Sequence, residues 1–277
     1  MNPDWKHTVH CLGDLHAGGI TRARVEAVSR DIASLGPPAL HVQVGDTTEG
    51  GREHEDALAR EFLDELPAGW VTALGNHDIL HNDRTAADWA RAYGQHSHNF
   101  SVELEFVRVI VIGPDRNEPG QHAGRLSSAT LSFLDRELAG ADTDCWVVCH
   151  WPLLRTVMGD PRLHFTSAME AFHAKPDPSI RELLARHRRA KLWLSGHTHS
   201  PLSAPGLVKR TRLAPKRSIV AINASALVGI GKRRDPRAPL CSLYLTHRPG
   251  CIEVRCRDHR AGAWRNLRGR RVLELSV

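Results

Sequence analysis

The sequence predicts an α/β fold in which short buried strands alternate with amphipathic helices. Two observations support this prediction: brief apolar runs recur along residues 1–200, and a stretch with helical periodicity follows most of them. A third observation is that residues 201–277 contain strand-like runs with no long helix between them. We therefore expect an α/β layer structure with an antiparallel sheet packed onto or beside it.

The predicted strands are short apolar runs flanked by glycine, aspartate or histidine. Runs of this length that are rich in valine, isoleucine and leucine are typical of strands buried on both faces. In chain order they cover residues 9–12, 40–44, 70–74, 107–112, 146–149 and 192–194. After Pro201, further strand-like runs cover residues 218–222, 241–246, 251–255 and 272–276.

The predicted helices lie mostly between these runs, at residues 21–34, 53–65, 85–93, 128–138 and 179–188. Several open with serine, threonine or aspartate, which cap a first turn, and end near glycine. No repeat, low-complexity tract or linker interrupts the pattern. We therefore expect residues 1–277 to form a single domain, of which residues 201–277 are a mostly β part.

The composition is that of a folded protein outside the membrane. Hydrophobic residues make up 41% of the chain and charged residues 25%, which is ordinary for a soluble domain. No apolar run approaches the roughly 20 residues that span a bilayer. An apolar stretch that ends in an aspartate begins almost at the N-terminus and leaves no room for a signal peptide. We therefore expect a cytoplasmic protein, and its six scattered cysteines, without a Cys-x-x-Cys pair, are not expected to form disulfides.

The charge is unevenly distributed along the chain. The net charge is +6, but residues 201–277 carry 17 lysines and arginines against 4 acidic residues, whereas residues 1–200 carry 20 against 27. An acidic half that holds cations beside a basic segment that receives an anion suits an enzyme acting on phosphate esters. The same distribution also fits a basic segment that is only a solvated face. The sequence leaves both interpretations open.

Polar motifs directly follow five of the predicted strands. Asp-x-His follows the first strand, Gly-Asp the second and Gly-Asn-His-Asp the third, while a histidine and Gly-His-x-His follow the last two runs before Pro201. The carboxyl ends of strands in an α/β sheet face one crevice, so these side chains are expected to meet. They are Asp14, His16, Asp46, Asn76, His150, His197 and His199.

These side chains are typical ligands of transition-metal ions. Imidazole nitrogen and carboxylate oxygen favour zinc, iron or manganese, whereas calcium sites use almost only oxygen. Seven ligands are too many for one tetrahedral ion, but two ions that share a bridging carboxylate would use them well. Two metals about 3.5–4 Å apart can clamp a phosphoryl group and acidify a water molecule between them. The sequence therefore predicts a two-metal phosphoesterase with all its metal ligands in residues 1–200.

The five motifs, in this order over residues 14–199, resemble those of the calcineurin-like metallophosphoesterase superfamily. A Gly-Arg-Leu-Ser run from Gly124 and a His-Trp-Pro run from His150 also resemble the branch that contains cyclic-nucleotide phosphodiesterases. The resemblance implies a four-layer α-β-β-α sandwich of two mixed sheets flanked by helices. It also implies hydrolysis of phosphate esters by a hydroxide that bridges two ions of manganese, iron or zinc.

The resemblance also implies a role for each residue. The assignment is Asp14, His16 and His199 for the first metal, Asn76, His150 and His197 for the second, and Asp46 as the bridge. His77 would stand over the phosphate with Asp78 behind it, since a carboxylate favours the protonated imidazole that can donate to a leaving alkoxide. Glu49 stands where the family often has aspartate, and it could accept a hydrogen bond from a ligating histidine.

Several functions are compatible with such a site. A phosphodiesterase acting on a small or cyclic nucleotide is the leading expectation, and a phosphomonoesterase acting on a metabolite, nucleotide or phosphoprotein is the alternative. A nuclease is a third, because the basic C-terminal segment with Trp264 could follow a phosphate backbone and stack a base. A non-catalytic module would be expected to have lost ligands, and this chain keeps them all. The expected partner is thus a small phosphate ester, and the sequence does not indicate the oligomeric state. Loop residues that could reach this substrate are His81, Asn82, His96, His98 and Arg125.

Overall fold

The computed structural model describes residues 2–80, 84–115, 124–229, 235 and 237–277. Its α-helices are α1 (Arg22–Ala33), α2 (Glu53–Asp64), α3 (Ala86–Ala92), α4 (Ser128–Ala139) and α5 (Asp177–Arg186). Its strands are β1 (Thr8–Leu12), β2 (Leu40–Gln43), β3 (Trp70–Thr72), β4 (Phe100–Glu103), β5 (Val107–Val111), β6 (Gly124–Arg125), β7 (Asp144–Val148), β8 (Ala174–Lys175), β9 (Ala190–Ser195), β10 (Val208–Ala214), β11 (Arg217–Asn223), β12 (Cys241–Arg248), β13 (Cys251–Asp258), β14 (Ala263–Arg265) and β15 (Leu273–Ser276). Every predicted strand and helix coincides with one of these elements, apart from a few residues at the ends. None of the helices in these ranges is long and apolar enough to cross a bilayer.

Two large sheets contain most of the strands. In the first sheet the order is β14-β13-β12-β1-β2-β3, with β15 also paired to β13. In the second sheet the order is β10-β11-β9-β7-β5-β4, and β6 and β8 form a separate pair. The strands β1, β2 and β3 run parallel, as do β5, β7, β9 and β11. Because parallel strands end on the same side of a sheet, the loops that follow them are brought together.

One hydrophobic cluster lies between the two sheets. Val9 and Val42 of the first sheet belong to it, together with Val109, Val148 and Leu194 of the second. Two further clusters lie beneath α4 and α5 on the second sheet and beneath α1, α2 and α3 on the first. The strands are thus buried on both faces, which explains their nearly continuous apolar sequences. The predicted four-layer α-β-β-α sandwich of two mixed sheets is confirmed.

The expectation of a separate antiparallel sheet after Pro201 is wrong. β12 pairs antiparallel with β1, and β11 pairs parallel with β9, so the last third of the chain adds strands to both sheets. These pairings occupy backbone groups of β1 and β9 that would otherwise be left at an open edge. Pairing between strands so far apart in the chain is not visible in a local sequence pattern. A single domain over residues 1–277 stays a prediction.

A chain of buried polar side chains connects α1 to the first sheet. His10 Nδ1 lies 2.8 Å from His41 Nδ1, and His10 Nε2 lies 2.7 Å from Ser242 Oγ. Ser242 Oγ in turn lies 2.7 Å from His259 Nε2, and His259 Nδ1 donates to Asp31 Oδ2 at 2.8 Å. Burial lowers the pKa of His10 well below its ordinary value and lowers the pKa of His41 to about 4. Both histidines are therefore neutral in the folded protein near neutral pH.

We expect this network to make the metal-free protein less stable in acid. Above pH 6.5, His41 is neutral in both the folded and the unfolded chain, but between pH 6.5 and about 4 only the unfolded chain binds its proton. Each such histidine lowers the free energy of unfolding by about 1.4 kcal/mol for every unit that the pH falls. Urea titrations across this range measure the slope, and His41→Gln should make it shallower. The same change at exposed His54 is the control, and an unaltered slope in His41→Gln would contradict the prediction.

Candidate metal centre

All seven predicted ligands follow the carboxyl ends of parallel strands, and short distances join six of them, all but Asn76, in one buried cluster. Asp14 and His16 follow β1, Asp46 follows β2, Asn76 follows β3, His150 follows β7, and His197 and His199 follow β9. Each of them is at most 6% exposed. The predicted ligands therefore follow three strands of the first sheet and two of the second.

Asp46 lies at the centre of this cluster. Its Oδ2 lies 3.2 Å from His150 Nε2. Three sets of ligand atoms, each with all members within 4.8 Å of one another, include this carboxylate. Two of them consist only of predicted ligands, namely Asp46, His150 and His197, and Asp14, Asp46 and His199, whereas the third joins Asp46 and His16 to His77. A carboxylate common to two ligand sets is what a bridge between two metal ions requires.

The hydrogen bonds of His150 and His197 show which nitrogens face each other. His150 Nδ1 donates to the carbonyl of Val44 at 2.9 Å, and His197 Nε2 donates to the carbonyl of Ala171 at 3.3 Å. In the neutral rings, the lone pairs are then on His150 Nε2 and His197 Nδ1, which lie 3.1 Å apart. Two lone pairs at this distance repel, whereas two nitrogens bound to one ion at about 2.0–2.1 Å lie roughly 3.0–3.4 Å apart. The pair therefore fits a shared cation.

His16 and His199 form a second pair of the same kind. His16 Nδ1 lies 3.0 Å from Glu49 Oε2, a carboxylate that can only accept, so its proton is on Nδ1. His16 Nε2 then presents its lone pair to His199 Nε2 at 3.2 Å and to Asp46 Oδ2 at 3.5 Å. Each of the two histidine pairs thus has one member near Asp46 Oδ2, His16 at 3.5 Å and His150 at 3.2 Å. This is the donor set expected of two ions with one common ligand.

The electrostatics of the cluster also favour bound cations. Asp14 Oδ1 accepts a hydrogen bond from the backbone N–H of His197 at 2.9 Å, while its Oδ2 is buried and has no hydrogen-bond partner among the described residues. Burial and the nearby charge of Asp46 raise the pKa of Asp14 to about 6. Burial alone would lower the pKa of His150, but the charges of Asp46 and Asp14 raise it to about 9. Two carboxylates buried this closely need positive charge beside them, and metal ions supply it.

The ligands are presented by strained backbone. The φ angles of His16, Asp46, His197 and His199 are 49°, 50°, 72° and 48°. This left-handed region costs non-glycine residues about 1–3 kcal/mol and is typical of functional sites. Gly75 permits the close approach of two ligand loops, because a Cβ there would lie 2.1 Å from the backbone nitrogen of Asp46. The loops are therefore held in a conformation that their own sequences do not favour.

His77 lies beside the cluster but is supported by a different group from the one expected. Its backbone N–H donates to Asp46 Oδ1 at 2.9 Å, and its imidazole Nδ1 donates to the carbonyl of Glu49 at 2.7 Å. The ring centroids of His77 and His16 are 4.5 Å apart. The expectation that Asp78 stands behind His77 is wrong, because the backbone carbonyl of Glu49 occupies that place.

Asp78 instead holds two ligand loops together. Its Oδ2 accepts a hydrogen bond from the backbone N–H of Gly75 at 2.8 Å, and its Oδ1 accepts from the backbone N–H of Thr48 at 2.8 Å. The carboxylate is thus occupied by N–H groups on the loops after β3 and β2. Burial and the charge of Asp46 raise the pKa of Asp78 to about 7. The Asp78 carboxylate thus contacts the ligand loops and not the imidazole of His77.

Two further residues that support the ligand loops were missed by the sequence analysis. Gln43 Oε1 accepts from the backbone N–H of Gly45 at 2.7 Å, and its Nε2 donates to the carbonyl of the same residue at 2.9 Å. Asn223 donates to the carbonyl of Gly196 and accepts from Thr198 Oγ1 at 2.9 Å. Asn223 ends β11, so the same signal, a polar residue at a strand end, was available for it.

The loop residues expected near the substrate are only partly described. His81 and Asn82 lie outside the described residues, as do residues 230–234 of the basic segment. His98 Nε2 lies 3.0 Å from Asp115 Oδ1, and Arg125 is exposed at the end of β6. Contact between these residues and a substrate stays a prediction.

We expect Glu49 to contribute to metal affinity. Glu49→Ala removes the carboxylate that fixes His16 with Nε2 towards the cluster, and loss of such a partner weakens metal binding by about 10- to 100-fold. Glu49→Gln should lose less, because its amide oxygen can still accept from Nδ1. Competition with a metal-sensitive chelator measures the affinity, and Glu61→Ala on the exposed face of α2 is the control. Equal affinities of Glu49→Ala and the wild type would exclude this role.

Several known proteins resemble this chain in sequence or in fold. A family model for calcineurin-like phosphoesterases matches residues 7–201. A probable cyclic nucleotide phosphodiesterase of Synechococcus sp. is 27% identical over 194 residues, which is 69% of this chain and 70% of that protein. A second one, of Rhodococcus erythropolis, is 31% identical over 153 residues, or 50% of this chain and 49% of that protein. Among solved structures, a dimetal phosphatase from Danio rerio has the same fold, with a TM-score of 0.67 at 13% identity and 99% of both chains covered.

The matched range contains every strand end that contributes to the buried cluster. Its two donor sets around one carboxylate agree with the two metal ions that this family implies. The chain therefore belongs to the calcineurin-like phosphoesterase family and is a metal-dependent phosphoric ester hydrolase.

Proposed function

We propose that the chain is a two-metal phosphodiesterase acting on a small phosphodiester such as a cyclic nucleotide. The observation that carries this proposal is that the Asp46 carboxylate lies near one histidine of each of two pairs. Within these pairs the facing nitrogens are 3.1 Å and 3.2 Å apart. The proposed ligands are Asp14, His16 and His199 for one ion, Asn76, His150 and His197 for the other, and Asp46 for both. Because the set is rich in imidazole, we propose manganese, iron or zinc.

The bound ions would supply Lewis-acid activation of the phosphoryl oxygens and of the attacking water. Around the ions, residues of the chain would orient the metal ligands and supply a proton to the leaving group. The carbonyls of Val44 and Ala171 and the carboxylate of Glu49 fix the histidine rings with their lone pairs inward, so no rearrangement is needed when the ions bind.

His77 is the proposed general acid. Its Nδ1–H is held by the carbonyl of Glu49, so in the protonated ring Nε2 carries the second proton and would donate it to the leaving alkoxide. The backbone N–H of His77 is fixed on Asp46, which ties the position of the acid to that of the central carboxylate. Asp78 would position His77 and Asp46, because it accepts hydrogen bonds from the backbone N–H groups of Gly75 and Thr48 in their loops.

The choice of a diester is supported by the relatives. Two of them are named probable cyclic nucleotide phosphodiesterases, and the first matches over 70% of its own length. A phosphomonoester would use the same ions and the same acid. The two substrate classes must therefore be separated by measurement.

A substrate comparison tests the proposal. With manganese added, we expect the protein to hydrolyse a bis-aryl phosphate and cyclic AMP faster than a mono-aryl phosphate and single-stranded DNA. The Asp46→Ala variant, measured in parallel, shows that each activity belongs to this site. Dominant monoester hydrolysis with cyclic AMP untouched would overturn the diesterase proposal, and binding to DNA that falls steeply with salt would point to a nuclease instead.

A further inference from the structure

A column of aromatic rings ends on one of the proposed metal ligands. Between β7 and β8, Phe172 stacks on the imidazole of His197, with ring centroids 4.7 Å apart and planes 27° apart. Phe165 in turn stacks on Phe172, with ring centroids 4.3 Å apart and planes 10° apart. Both phenylalanines are half-buried. The imidazole of His197 therefore has an aromatic ring stacked on one of its faces.

The same segment holds the His197 loop by polar contacts. The carbonyl of Ala171, next to Phe172 in the chain, accepts from His197 Nε2 at 3.3 Å. A second contact lies a few residues away, where His164 Nδ1 is 3.0 Å from Ser200 Oγ. The segment thus contacts the loop after β9 at two points on either side of His199.

The stacked ring and the carbonyl act on the metal ligand together. The carbonyl fixes the proton on His197 Nε2, and the flat contact with Phe172 fixes the rotation of the ring, so Nδ1 is aimed at His150 Nε2. An imidazole bound to a cation through Nδ1 also becomes electron-poor. Its attraction to the electron-rich face of Phe172 is then stronger than that of the free imidazole. Stacking is therefore tightest when the ion is bound.

We propose that Phe172 is a positioning residue that raises the affinity of the protein for one of its two metal ions, the one bound by His150 and His197. The proposal rests on the ligand assignment made above under the proposed function. If the contact between Phe172 and His197 raises the affinity for the ion, then binding of the ion must strengthen that contact to the same extent. Binding of that ion therefore also fixes residues 154–173 against the loop after β9.

A role in core packing alone has different consequences. Removal of the ring would then lower the stability of the metal-free protein and leave metal affinity unchanged. Phe133 on α4 offers the matched comparison, since it is a half-buried phenylalanine that packs on the second sheet and lies beneath Arg136, not beside a ligand.

The experiment is a manganese titration of the metal-free protein, by competition with a fluorescent chelator. We expect Phe172→Leu, which keeps apolar volume but has no aromatic face, to weaken one of the two binding events by about tenfold. Phe172→Tyr should retain the affinity, and Phe133→Leu should bind both ions as the wild type does. Equal affinities for both ions in Phe172→Leu and the wild type would overturn the proposal.

A second measurement needs no variant. Hydrogen exchange of residues 154–173 in the wild type should slow when manganese is added, and unchanged exchange would also overturn the proposal. The two-metal site on which the proposed function depends fails in a different way, because the wild type would then bind fewer than two ions in the same titration. The two failures are thus distinguished by the wild-type curve.

Discussion

Asp46→Ala is expected to lose metal binding and phosphoesterase activity together. The carboxylate is the ligand common to both donor sets, so its removal disturbs both ions, not one. Lewis-acid stabilisation is worth several kcal/mol, so the rate should fall on the order of 10³-fold or more. Elemental analysis of the purified variant, beside its hydrolysis rate on a bis-aryl phosphate, measures both losses.

The control for Asp46→Ala is the same change at Asp142, an exposed carboxylate before β7. That variant should keep both ions and full activity. An Asp46→Ala protein that keeps two tightly bound ions would remove Asp46 as the bridge. A variant that loses its ions but stays active would show that hydrolysis takes place elsewhere.

His77→Ala is expected to keep both ions and to slow catalysis selectively. Since general acid catalysis contributes about 10²–10⁴-fold, esters with poor alkoxide leaving groups should slow by that factor. Aryl esters, whose leaving groups need no proton, should slow far less. Rates on a cyclic nucleotide and on a bis-aryl phosphate, taken with the metal content, separate the two effects.

His54→Ala, at an exposed position on α2, is the matched control for His77→Ala. Equal slowing of both ester types would exclude His77 as the acid. Loss of metal from His77→Ala would instead make it a ligand, since one of its nitrogens lies within 4.8 Å of ligand atoms of His16 and Asp46.

Much of the site was predictable because its residues follow one rule. Each ligand stands directly after an apolar run, and parallel strands bring such positions to the same side of a sheet. The rule depends only on local pattern and strand direction, so residues as distant as Asp14 and His199 could be grouped from the sequence alone. The roles of the individual ligands stay a proposal.

What the sequence did not reveal depends on backbone groups and distant pairings. The partner of the His77 imidazole is a carbonyl, and every residue has one, so no residue type marks Glu49 for this purpose. The resemblance to the family placed Asp78 behind His77, whereas its carboxylate accepts hydrogen bonds from the N–H groups of Gly75 and Thr48. Four of the six described strands after Pro201 were recognised individually, and β10 and β14 were missed. The insertion of these strands into both sheets follows from edge positions that only the folded chain defines.

The position of the ligands at the boundary of the two sheets has a consequence for the folded chain as a whole. Asp46 comes from the first sheet and His150 from the second, so ions held between them act as a cross-link across the interior. Free metal at about 100 times its dissociation constant would add roughly 2.7 kcal/mol to the free energy of unfolding. Chelation should therefore do more than stop turnover: it should let the two layers separate more readily at this end, and the melting temperature of the protein should follow the supply of metal.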